Sequence, residues 1–283
     1  MITLLSYGDD SADAQCERVF AVAAVVAPES LWRPLEEAWL VRNDHLAFHA
    51  TDCDSDNGIY TNRHHQQNKE LYRDCIKLLA ESGAFGFAYV IDIAGRDEFF
   101  PDTEKELHYH WCYGRLIRNI ATFLGRLGIT KVEFSFDNRL DIVNNATAVY
   151  SLMTSDEEFP YRHLLSKKVE FLSSAKHSRI QVGDLYAREV MKHLDNMVGP
   201  VRREERKSFT ALRESGRFGA EFFMREAWQD KRRKFDEIQQ RAGFTSRDYE
   251  QWLCKRGRTD NVGARFEFLA SLNLRDAKKT NQT

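Results

Sequence analysis

The chain has 283 residues, of which 42% are hydrophobic and 30% charged. That is ample for a core and too apolar for a wholly disordered chain. Its longest apolar run, from Val19 to Ala27, is far too short for a membrane-spanning helix.

The net charge of −2 hides an asymmetry. Beyond residue 199 the chain carries 20 Lys+Arg against 13 Asp+Glu; before it, 21 against 30. An acidic front and a basic tail suit a polyanion partner with metal ions near the acidic part. Two ordinary solvated surfaces would give the same count. Five cysteines without a CxxC pair, and no basic segment leading into an apolar stretch, point to reduced thiols and a cytoplasmic protein.

In chain order, Met1–Tyr7 reads as a strand ending at Gly8-Asp9-Asp10. Val19–Ala27 reads as its hairpin partner. A helix follows from Pro28 to about Asp44, with Trp32, Leu35 and Trp39 at helical period. "LAFHATDCDSDNGIY" reads as a short strand and then a loop. Asn68–Ser82 is an amphipathic helix stopped by Gly83. Phe85–Ile93 is a strand, and Glu104–Leu127 a long helix closed at Gly128. "KVEFSF" at Lys131–Phe136 alternates cleanly, as a half-buried strand does. Leu140–Met153 is a helix and Lys168–Ser173 a strand. A helix from Arg179 ends near Gly199-Pro200, and the remainder reads as helical only. The expectation is an α/β fold: a mixed sheet covered by helices, with sites at strand ends.

Three aspartates occupy comparable places. Asp9 follows the first strand, and Asp137 ends "KVEFSFD". Asp184 lies early in the helix "RIQVGDLYAREVMKHL", on one face with Ala187, Met191 and Leu194. A carboxylate on an apolar stripe needs compensation. Three gathered carboxylates would raise one another's pKa, and a hard cation such as Mg²⁺ or Mn²⁺ relieves this. Aspartates in such places also cap helices and make turns.

"SYGDDSAD", "FHATD", "VEFSFDN" and "IQVGDLYA" occur in the order of four motifs of an uncharacterised bacterial family, domain of unknown function 3800 (DUF3800), and the chain resembles it over about residues 1–198. The resemblance implies a ribonuclease-H-like domain over 1–198, with 199–283 as a helical, basic accessory region. It implies nucleic-acid hydrolysis with two divalent metals, and Asp9, Asp137 and Asp184 as catalytic metal ligands. The settings of the family suggest defence against phage or foreign nucleic acid. Three positions depart from its pattern. Asp10 replaces a Glu, Gly183 an Ala, and Ala47 stands where an acid is expected, leaving Asp52 or His49 as a substitute ligand. Gln181 belongs to the closing motif and is an auxiliary candidate. Lys176, His177 and Arg179 either reach substrate or form a solvated loop.

The two-metal scheme needs no nucleophilic side chain. Rival readings are an inactive nucleic-acid-binding protein that has lost a ligand, and a hydrolase of small nucleotides. The tail segments "VRREERKSF", "DKRRKFDEIQQR" and "CKRGR" suit backbone contacts to RNA or DNA. Phe222, Phe223 and Trp228 suit a homodimer through the C-terminal helices. "YGDD" lacks the upstream length of a polymerase palm. His64, His65 and "FHATDC" lack zinc spacing. The histidines of "HYH" point about 200° apart on a helix, and no GxxxxGK[ST] loop exists.

Overall fold

The computed structural model describes residues 3–100, 107–139 and 142–242. Contacts divide the chain into two compact units, Met1–Ile93 with Tyr109–Phe222 and Ala94–His108 with Phe223–Thr283.

The first unit is built on a six-stranded mixed sheet. Its strands are β1 (Thr3–Ala12), β2 (Val19–Ala27), β3 (Phe85–Asp92), β4 (Lys131–Asp137), β5 (Glu170–Leu172) and β6 (Phe218–Phe223). Their order is β5-β4-β1-β2-β3-β6. β1, β2 and β3 pair antiparallel, whereas β4 is parallel to β1 and β5 to β4. All nine residues of β2 are buried, as its unbroken apolar sequence requires of a central strand covered on both faces.

The helices are α1 (Glu29–Arg42), α2 (Ala50–Ser55), α3 (His65–Glu81), α4 (Ile93–Phe99), α5 (Leu107–Arg126), α6 (Val143–Ser155), α7 (Ser178–Val198), α8 (Lys207–Glu214) and α9 (Arg225–Ala242). α1 and α7 cover one face of the sheet. Trp32 of α1 meets Tyr7 edge-on at 4.9 Å, and its indole N–H donates to the Leu5 carbonyl at 3.0 Å. α5 and α6 cover the other face, where Tyr113 packs on Phe136 and Tyr150 on Phe134.

α7 lies unusually close to the sheet. A Cβ on Gly183 would stand 3.0 Å from both the Gly8 Cα and the Tyr7 carbonyl oxygen. Glycine at 183 therefore lets helix backbone rest on strand backbone.

Four expectations change. β1 runs on to Ala12, so Asp9 and Asp10 lie within the strand, paired with Ala23 and Val22, and do not follow it. The segment after Phe48, read as a loop, contains α2, and no strand precedes it: residues 46–49 are irregular. Six residues are too few to show a helical period, and α2 is held by tertiary bonds described below. The tail is not helical throughout, because β6 extends the sheet beside β3, with the Gly86 N–H donating to the Arg217 carbonyl at 3.0 Å. Glycine at 86 leaves room for the Phe218 and Tyr186 rings. α4, absent from the sequence reading, continues directly from β3. The expected helix starts at Glu104 and Leu140, and the "CKRGR" segment, lie outside the described residues.

In the second unit Trp228 is buried against Phe223 at 4.5 Å and Phe100 at 6.1 Å. In the first, Phe222 packs on His193 and Phe209. The apolar positions assigned to a dimer contact are thus packed within the chain. No described helix is long and apolar enough to cross a membrane.

Candidate functional site

Parallel pairing sets the first two acids together. Gly8 of β1 pairs with Phe136 of β4. The next residues, Asp9 and Asp137, therefore emerge side by side, on the face opposite the Phe136 ring. Helix packing supplies the third. Gly183 rests on Gly8, and the next residue of α7 is Asp184.

The electrostatics report this closeness. The Asp9 carboxyl is held well above its ordinary pKa, first by burial and then by the charges of Asp184, Asp10 and Asp137; the Asp10 N–H opposes the rise. Asp184, 4% exposed, is pushed up to about 6. Burial is the main cause and Asp137 adds to it, while His49, the Ala50 N–H and Arg188 act against it. Like charges within a few ångströms disfavour joint ionisation.

Each of the three carboxylates is held by one backbone N–H. Asp9 Oδ1 accepts from Asp10 at 2.7 Å, Asp137 Oδ1 from Ser174 at 2.8 Å, and Asp184 Oδ2 from Ala50 at 2.8 Å. The second oxygen of each has no hydrogen-bond partner among the described residues. The bonded oxygen orients each group. An all-oxygen donor set of this kind fits a hard divalent cation. Among the described residues, however, no three His, Cys, Asp or Glu side chains are gathered closely enough to enclose an ion. The acids are near enough to repel one another and are not closed into a coordination shell.

The auxiliary candidates divide. Asp10 Oδ2 accepts from Arg139 Nη1 at 2.7 Å, which neutralises the acid next to Asp9. His49 precedes α2, and its Nδ1 lies 3.1 Å from Asp52 Oδ2. His49 is among the stronger charges felt by Asp184, whereas Asp52 is absent from the main influences on that acid and pairs with His49. Gln181 is buried and holds scaffold: its Oε1 accepts from Trp39 Nε1 at 3.1 Å, and its Nε2 donates to the Ser174 carbonyl at 2.8 Å. Since Ser174 also holds Asp137, Gln181 positions that acid from α7. His177 and Lys176 are exposed at the start of α7. Arg179 is not solvated. It binds Glu29 and Glu36 of α1 at 2.6 and 2.8 Å, and its Nη1 stands 3.4 Å from the Tyr7 hydroxyl.

Sequence reasoning missed Arg139, Ser174 and a buried network behind the site. One turn after Asp184, Arg188 donates to Asp54 Oδ2 at 3.0 Å, and Arg206 donates to both Asp54 oxygens at 3.0 and 2.7 Å. Glu189, fully enclosed, accepts from the Tyr72 and Ser208 hydroxyls at 2.6 Å each. The only sequence signal was the helical spacing of Asp184 and Arg188, which names no partner.

The chain matches no family model, and no curated protein matches it.

Proposed function

We propose that the chain is a divalent-metal-dependent nuclease or phosphodiesterase with a ribonuclease-H-like core, as its resemblance to the DUF3800 family implies. The observation that carries this reading is the triad of Asp9, Asp137 and Asp184. Each has one oxygen fixed by a backbone N–H and one without a hydrogen-bond partner among the described residues. A parallel β1–β4 register that sets two of these acids on neighbouring strands supports the same reading.

Mg²⁺ or Mn²⁺, when bound, supplies an activated water and neutralises phosphate charge. Asp9, Asp137 and Asp184 would hold it. The residues of this chain do the positioning. Ser174 and Gln181 fix Asp137, and the Ala50 N–H fixes Asp184. Arg139 pairs with Asp10 and partly offsets its charge beside Asp9.

A second reading, a nucleic-acid-binding protein without catalysis, is favoured by Ala47 in place of an acid. Cleavage of labelled RNA and DNA oligonucleotides with Mg²⁺ or Mn²⁺ separates the two. The expected result is metal-dependent cleavage that Asp137→Asn or Asp184→Asn abolishes. Unchanged cleavage by both variants removes the mechanism. Absence of Mn²⁺ binding by calorimetry favours the second reading.

A further inference from the structure

Between α3 and the α8 segment lies a groove of about 980 Å³. α3 contributes Lys69, Arg73 and Lys77, spaced by four so that they stand in one row along the helix. Arg206, Lys207 and Arg217 line the other side. Two carboxylates, Asp54 and Glu81, line the groove with these six cations, Glu81 standing 4.0 Å from Lys77, while Asp74 on α3 pairs with Arg73 at 3.3 Å. Arg206 is committed to Asp54 and Glu189. Lys69, Lys207 and Arg217 are exposed and have no ion-pair partner within 4 Å among the described residues. The floor is apolar, formed by Ile76, Ala80 and Ala211. A cationic rim over an apolar floor matches a nucleotide, whose phosphates want charge and whose base wants contact without water.

The inner wall is rigid. Asp54 ties Arg206 to Arg188 of α7, and Glu189 ties Tyr72 of α3 to Ser208 of α8. The same wall connects the groove to the carboxylates. Asp54 is one turn along α2 from Ala50, which holds Asp184, and Arg188 is one turn along α7 from Asp184 itself. One turn is about 6 Å.

We propose that this groove binds the phosphates and a base of a nucleotide, either in a single strand that continues toward Asp184 or as a free nucleotide. The continuation toward Asp184 rests on the nuclease reading; the groove itself does not.

The test is fluorescence anisotropy with short labelled single-stranded RNA and DNA, measured in a metal chelator so that no cleavage occurs. Reversing charge together at Lys69→Glu, Lys77→Glu, Lys207→Glu and Arg217→Glu is expected to weaken binding by more than about tenfold. The log–log salt slope should shrink by about 0.7 for each phosphate contact removed. The milder pair Lys207→Gln and Arg217→Gln, both at exposed positions, gives the same direction should the fourfold variant not fold. Displacement by unlabelled oligonucleotide but not by mononucleotide identifies a strand, and equal displacement by mononucleotide identifies a free nucleotide. Absence of binding by the native chain, or affinity and salt slope unchanged in a folded variant, overturns the proposal. Metal-dependent cleavage with unaltered binding in the variants would remove the groove alone. Groove binding without any metal-dependent cleavage would remove only the nuclease reading.

Discussion

Asp184→Asn offers the sharpest examination of the carboxylate cluster, because stability and activity should move in opposite directions. In the folded chain this carboxyl is raised from 3.8 to about 6. A raised acid pKa means that the fold binds the proton more tightly than the unfolded chain does. The associated stability is complete below about pH 4 and is lost as pH rises through about 6. A difference of about two pH units corresponds to about 3 kcal/mol. The carboxamide can still accept the Ala50 N–H through its oxygen, so the packing of α2 on α7 survives. Asn does not ionise, so the penalty disappears. Urea unfolding in a chelator, run from pH 4 to 8 on both proteins, should show the variant gaining on the native chain as pH rises. Taking the difference cancels carboxylates such as Asp54, where arginine pairing outweighs burial and lowers the pKa. Adding Mn²⁺ at about a hundred times its Kd should then stabilise the native chain by about 2.7 kcal/mol and leave the variant unmoved. Parallel pH curves for the two proteins would refute the reasoning.

Gly183→Ala sets helix propensity against contact. Alanine favours a helix interior by about 1 kcal/mol, but its Cβ would press on strand backbone at 3.0 Å, and overpacking costs about 1–3 kcal/mol. The expected outcome in urea is a net loss of up to about 2 kcal/mol with weaker metal-dependent activity; a gain of about 1 kcal/mol would show that α7 can lift freely. Gln181→Ala leaves the Trp39 N–H and the Ser174 carbonyl unpaired. Thermal unfolding should show a loss of about 1–3 kcal/mol, and calorimetry a weaker Mn²⁺ affinity, since Ser174 then holds Asp137 less firmly.

Local regularity made much of the fold legible. β1 to β4 announced themselves by apolar runs or alternation, and α3 and α7 by their period, because these patterns follow from the geometry of one segment. Asp9, Asp137 and Asp184 were legible for a related reason: each belongs to a readable element, Asp137 at the end of β4, Asp9 within β1 and Asp184 early in α7. β6 was not, since "FGAEFF" is six residues that become a strand only where β3 offers an unpaired edge. Nor was α2, whose six residues are pinned through Ala50 to Asp184 and through Asp54 to two arginines of distant segments.

The sequence alone determined the chemical inventory: acids in or beside regular segments, basic residues concentrated late in the chain, and an apolar helix stripe interrupted by Asp184. Only the tertiary structure decided what those groups meet. Parallel registry put Asp9 beside Asp137, and the bare contact of Gly183 with Gly8 brought Asp184 to them. It also turned Gln181 inward to Trp39 and Arg179 onto the acids of α1. The reason is that a side chain's charge and reach are local properties, whereas its partner depends on which backbones can approach, and that is settled by packing across the whole sheet.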